Sequence, residues 1–112
     1  LQGSYTVDSE VLKKFIREEH GPLFYSLDDS GIIRFEWFLD ENEKTGTLIE
    51  IFEDSKHWEE LGGKVLDSPI FVKLNKLFKI EKTTVLGDIS EAWKTKIKAM
   101  NPIHQSYIGG IN

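Results

Sequence analysis

The chain has 112 residues, with 14 Lys and Arg against 19 Asp and Glu and a formal net charge of −5. That length suits one domain built on one core, and 39% hydrophobic with 29% charged residues is ordinary globular composition. The acidic balance argues against nucleic acid and anionic membrane surfaces, which call for clustered cations. The absence of cysteine removes disulfides, thiolate catalysis and zinc–thiolate sites.

Leu1 to Val7 alternates and predicts a short first strand. Asp8 stands at an N-cap position before Val11, Leu12, Phe15 and Ile16, which recur at helical spacing. Gly21-Pro22 is expected to break or kink that helix, with Pro22 opening a further turn that carries Leu23, Phe24 and Leu27. Asp28-Asp29-Ser30-Gly31 is turn chemistry. Ile32 to Leu39 and Thr47 to Phe52 read as strands joined by a charged loop, Asp40 to Gly46. Pairing Leu39 with Leu48 sets Arg34 opposite Glu53, a favourable cross-strand pair. Phe35, Trp37, Leu39, Leu48, Glu50 and Phe52 then share one face, and Ile32, Arg34, Glu36, Phe38, Ile49 and Ile51 the other.

Ser55 is expected to cap the next helix, Gly62-Gly63 to loosen it, and Ser68-Pro69 to restart it as N-cap and first residue. Ile70, Phe71, Leu74, Leu77 and Phe78 follow as an apolar stripe. Ile80 to Leu86 reads as a fourth strand ended by Gly87-Asp88. Ser90 caps a last short helix with Trp93, Ile97 and Met100 on one side, and Asn101-Pro102 stops it. The tail from Ile103 to Asn112 is expected to run extended over the surface. No stretch approaches the ~20 apolar residues of a membrane span, and no signal-peptide pattern is visible, so a cytoplasmic protein is expected. Numbering from Leu1 rather than a methionine leaves room for a short preceding segment.

The order is β-α-β-β-α-β plus a C-terminal helix, the ferredoxin-like pattern of an α+β fold with a four-stranded antiparallel sheet. One domain is expected over 1–112, with a core at 1–87 and the C-terminal helix and tail at 88–112. Both faces of the second and third strands carry large apolar groups, and one helix layer covers only one of them. The second cover is either the C-terminal helix and tail folding back or a second copy, sheet against sheet; a homodimer is expected.

Three segments carry a resemblance: Gly31-Ile32-Ile33-Arg34-Phe35-Glu36, Glu50-Ile51-Phe52-Glu53-Asp54 and Ser68-Pro69-Ile70-Phe71. They are similar to the Gly-x-x-x-Tyr/Phe-Glu strand, the Glu-x-Trp/Phe-x-Asp strand end and the Ser-Pro-His-Phe helix start of the antibiotic-biosynthesis-monooxygenase-like family. That family belongs to the dimeric α+β barrel superfamily. The resemblance covers about residues 1 to 87. It implies a dimeric barrel and a cofactor-independent monooxygenase acting on an aromatic or other apolar substrate, with Glu50 as base and Trp58 as wall. Ile70 stands where the family often has His, which counts against His-assisted chemistry there. The haem-degrading relatives use an Asn, a Trp and a His; no His follows Trp58 at a suitable spacing, which counts against haem.

Glu36 and Glu50 lie inside apolar strands, where a desolvated carboxylate becomes a candidate base for a phenol or an activated carbon acid. The plainer alternative is that each is paired, Glu36 with Arg34 or a partner's cation, Glu50 with a hydroxyl or a Lys. His20, His57 and His104 share no metal-binding spacing. Trp37 and Trp58 with Tyr25, Phe35, Phe52 and Phe71 would line an apolar cavity, with Glu50 as its polar group; plain core packing is the alternative. No cofactor or metal motif is visible. The expected protein therefore binds a small apolar or amphipathic molecule, as an oxygenase or as a non-catalytic binder of an apolar or acyl-chain ligand. A purely structural dimer is the remaining alternative.

Overall fold

The computed structural model describes residues 1–111; Asn112, the end of the tail expected to run extended, lies outside the described residues. Strand β1 is short, Gln2–Ser4. Helix α1, Ser9–Phe15, starts where Asp8 accepts a hydrogen bond from the Glu10 amide. The chain does not break at Gly21-Pro22. It passes through one π turn, Ile16–His20, directly into α2, Gly21–Tyr25. The reason is local. Proline has no N–H to continue the α ladder and collides with the preceding turn, and the wider π turn, in which Gly21 N–H bonds to Ile16 O, absorbs both problems.

The consequence is a change of phase. An α period after Phe15 would turn Glu19 inward. With the π turn, His20 follows Phe15 on the buried face, and Glu19 reaches Lys73 Nζ on the surface at 2.6 Å.

Strands β2, Ile32–Asp40, and β3, Thr45–Phe52, form a hairpin in a register two residues away from the expected one. Leu39 lies opposite Gly46, Trp37 opposite Leu48 and Phe35 opposite Glu50. Asp40 accepts from the amides of Asn42 and Glu43, and Lys44 takes a left-handed φ of 53°, so the turn closes over four residues, 41–44. Gly46 also fits because a Cβ there would lie 2.7 Å from the Leu39 side chain. A shift of two preserves the faces, so the same residues still share the same side. Arg34 loses Glu53 as a partner and pairs instead with Glu36 at 2.5 Å.

Helix α3, Ser55–Val65, is capped by Asp54 rather than by Ser55: the Asp54 carboxylate accepts from the His57 amide at 2.9 Å. A carboxylate there is both an acceptor and a charge matched to the helix dipole. Gly62-Gly63 does not interrupt it. Helix α4, Pro69–Leu77, begins after Ser68. The expected fourth strand divides. Strand β4, Lys79–Lys82, joins the main sheet, and β5, Thr84–Leu86, leaves it at Thr83, whose carbonyl accepts from Ile103 N–H. After α5, Glu91–Lys96, the chain returns as β6, Ile103–Gln105, parallel to β5. The front of the expected tail is therefore a paired strand.

The result is an α+β structure whose main sheet is four-stranded and antiparallel, in the order β2-β3-β1-β4, compatible with a ferredoxin-like fold. Two hydrophobic clusters lie on its helix side. Tyr5, Leu12, Phe15, Leu74 and Phe78 form one, and Val85, Trp93 and Ile97 the other. Among the described residues no helix is long and apolar enough to cross a membrane.

Adjacent glycines in α3 give a test with opposite signs. A Cβ on Gly62 would lie 2.4 Å from the ring of the buried Trp93, whereas a Cβ on Gly63 meets nothing within 4 Å. Gly63→Ala is expected to raise the urea midpoint, with up to ~1 kcal/mol of added stability from helix propensity. Gly62→Ala should lower it despite the same propensity gain.

Candidate functional site

The two clusters do not fuse. Between them lies a cavity of ≈80 Å³, with His20, Phe24 and Leu74 from the first side, Trp58, Trp93, Ile97 and Met100 from the second, and Leu48, Glu50 and Phe52 from β3. A water needs ~10–15 Å³ of such space, so the cavity holds on the order of six heavy atoms, about one small ring.

Four of the residues singled out from the sequence line it: Glu50, Phe52, Trp58 and Phe71. Phe52 stacks on Trp58 at 6.3 Å, and Trp58 meets Trp93 edge-on at 5.4 Å. Three do not line it. Tyr25 is 95% exposed at the end of α2. Phe35 stacks on Phe24 at 4.4 Å, and Trp37 packs edge-on against Phe78 at 5.1 Å, and neither is among the lining residues. The C-terminal helix, placed outside the core from sequence, supplies Trp93, Ile97 and Met100 to the lining.

Glu50 points to the helix side because period-two alternation puts it with Leu48 and Phe52. It has no side-chain hydrogen bond among the described residues, and the paired Arg34–Glu36 charges lie on the opposite face of the sheet. Glu50 is half-buried and lines the cavity. Burial pushes its pKa up to about 7, although the nearby Leu1 amino group pulls the other way. At neutral pH both protonation states are populated.

His20 is the residue that sequence reasoning missed. It is 3% exposed, and its Nδ1 accepts a hydrogen bond from Trp37 Nε1 at 3.0 Å. Phe15 stacks on the imidazole at 5.2 Å, with Phe24 and Phe35 edge-on at 5.1 and 4.9 Å. Burial among these rings lowers its pKa to about 4, so it is neutral at pH 7. A buried-face spacing of Leu12, Phe15, His20 and Phe24, with one step of five before Pro22, was the available signal.

Thr83 Oγ1 and Trp93 Nε1 are also buried at the lining without a hydrogen-bond partner among the described residues. An unmade buried hydrogen bond costs ~1–3 kcal/mol. His57 is elsewhere: its ring bonds Asp54 at 2.7 Å on the surface, which raises the His57 pKa, while the His57 amide first and the ring second lower that of Asp54. His104 is exposed on β6. Among the described residues no group of three or more His, Asp or Glu is placed to hold a metal ion.

Comparison of the chain with protein-family models, curated proteins and solved structures finds no match.

The two shifted groups make opposing demands as pH changes. Glu50, raised from 4.5 to about 7, contributes stability that is present below pH 4.5 and lost as pH rises through 7. His20, lowered from 6.5 to about 4, contributes stability that is present above pH 6.5 and lost as pH falls through 4. Each shift corresponds to about 3 kcal/mol, so they nearly cancel between pH 4.5 and 6.5. Glu50→Gln removes one side of the balance. Relative to the parent, this variant should lose stability by about 3 kcal/mol on acidification from pH 7 to pH 4.5, measured by urea denaturation across that range.

Proposed function

We propose that this protein binds a small, largely apolar molecule in the cavity between its two hydrophobic clusters, with Glu50 as the group that exchanges a proton with it. The observation that carries the reading is the Glu50 carboxyl, without a side-chain hydrogen bond among the described residues on the wall of a largely apolar cavity, where burial raises its pKa to about 7 despite the nearby Leu1 amino group. A general base works best with a pKa near the operating pH. The volume favours a small ring over an acyl chain or a large aromatic system.

The enzymatic form of this reading is the one implied by the resemblance to antibiotic-biosynthesis-monooxygenase-like proteins, a cofactor-independent oxygenase with Glu50 as base and Trp58 as wall. The non-catalytic form is a binder using the same cavity. The ferredoxin-like, dimeric α+β barrel belongs to the same proposal. Its support is the strand order β2-β3-β1-β4, with α1 and α4 packed on one side of the sheet.

A homodimer has its own support. The C-terminal helix packs beside Trp58 and Leu66, on the helix side, and so does not cover the other face of the hairpin. There Phe38 is 50% and Ile51 39% exposed in the single chain. Apolar sheet faces of this kind mark interaction surfaces.

Two measurements test these proposals. Titration with small cyclic guests by calorimetry or ligand-observed NMR should give saturable binding, weakened about ten-fold, the scale of ~1.4 kcal/mol, by Trp58→Ala. A folded protein that takes up no guest overturns the binding reading. Light scattering at low micromolar concentration should report twice 12.9 kDa. Phe38→Glu should shift this toward the monomer with helical content intact, and a monomeric parent protein removes the dimer.

A further inference from the structure

We infer that the cavity takes a small neutral carbonyl compound and enolises it: Glu50 removes a proton from the carbon beside the carbonyl while His20 Nε2–H holds the oxygen. The inference rests on the binding reading above and requires neither oxygen nor a dimer.

The roles follow from hydrogen-bond chemistry. An indole nitrogen only donates, so the 3.0 Å contact from Trp37 Nε1 means that His20 Nδ1 carries the lone pair. A neutral imidazole then has its one proton on Nε2, which has no acceptor among the described residues. Trp37 thus occupies the only lone pair with which His20 could act as a base, and leaves Nε2–H as the free donor of a residue that lines the cavity. Trp37 is a positioning residue. His20 is a fixed, uncharged donor of the kind that stabilises developing negative charge on oxygen.

Glu50 shares the wall with it. Phe35, directly across the strand pair from Glu50, touches the edge of the His20 ring at 4.9 Å. Trp93 Nε1–H and the Thr83 hydroxyl belong to lining residues but are themselves shut off from the open space. No Lys or Arg side chain lines the cavity. Beside the acceptor Glu50, the His20 donor calls for an acceptor on the guest, and an anionic guest finds no side-chain counter-ion. A carbonyl group attached to a few carbon atoms meets both conditions and the ≈80 Å³ limit.

The step is a proton transfer and balances without a co-reactant. The Glu50 carboxylate takes the Cα proton, the C–H pair becomes the C=C bond, and the C=O π pair moves to oxygen. His20 Nε2–H holds that oxygen without giving up its proton. The Glu50 carboxylic acid then returns the proton to the same carbon or, in an unsaturated guest, to a conjugated one, and nothing is oxidised or reduced.

The test uses the full chain and cyclopentanone, cyclohexanone and 3-cyclohexen-1-one. Deuterium uptake at the α-carbon of the saturated ketones in D₂O is followed by NMR, and conjugation of the unsaturated ketone by absorbance. The parent protein should accelerate both above buffer. Glu50→Gln should return the rate to that of buffer while guest affinity changes by no more than a few-fold. His20→Gln should lower the rate by about 10²–10³, and if it does not fold, Trp37→Phe tests the same arm through a changed pH–rate profile. The ¹⁵N shifts of the His20 ring give an independent readout without any guest: Nδ1 should be pyridine-like and Nε2 pyrrole-like. Ketones that bind without exchange, or a His20 ring in the opposite tautomer, overturn the enolisation and leave the binding reading standing. Failure of every ketone to bind, with other small rings binding, overturns the carbonyl assignment. Failure of all guests overturns both.

Discussion

The phase of the first helix decides what the interior contains. Between Phe15 and Phe24 the chain must pass a proline, and one π turn is how it does so. Had the helix kept its α period, a glutamate would face the sheet beside Trp37, unpaired in an aromatic environment. The π turn exchanges that residue for His20, sends Glu19 out to Lys73, and keeps Phe24 on the buried face. Trp37 then has an acceptor for its indole N–H, which buried tryptophans need. The helix is thereby joined to the middle of the sheet by a directional bond as well as by apolar packing. Single π turns inside α-helices recur at functional sites, and here the turn places the only buried imidazole of the described residues on the cavity wall.

The cavity exists because the two apolar clusters remain separate. The first is made by α1, α4 and the sheet, the second by α3, α5 and β5. Trp93 is the hinge of the second cluster. It fills the notch left by Gly62, meets Trp58 edge-on, and is carried by a helix whose own start is set by Ser90 accepting from its amide. The parallel pairing of β5 with β6 returns the chain after this helix and holds it in place. The C-terminal region is thus a wall of the cavity and not an appendage to the sheet.

Electrostatics in this interior are set by desolvation more than by pairing. Glu50 and His20 are both moved toward their neutral forms by burial, the acid upward and the base downward. At neutral pH the cavity therefore has one group that is a ready proton acceptor and one that is an uncharged donor. The contributions of this pair to stability offset each other in moderate acid, because what one group gains on protonation the other loses. Charge pairs such as Arg34–Glu36 and Asp54–His57 are at the surface, where water screens them, and they contribute little to this balance.

Local rules in the sequence determined the capping of α1 by Asp8 and α5 by Ser90, the restart at Ser68-Pro69, and the side of the sheet on which Phe35, Trp37, Leu48, Glu50 and Phe52 lie. Caps act over three residues and strand alternation over two, so both are legible without any distant partner. The hairpin register was not, because a slip of two leaves every face unchanged; Asp40, Lys44 and the missing side chain of Gly46 selected it. Nor was the division of Ile80 to Leu86 into β4 and β5, which depends on β6 arriving from nineteen residues further on. The site shows the same division. Glu50, Phe52, Trp58 and Phe71 were found by type and alternation, whereas His20, Thr83 and Trp93 entered through a helical phase change, a strand break and a returning helix. Each of those is decided by contacts far apart in the chain, and only the tertiary structure brings such residues to one wall.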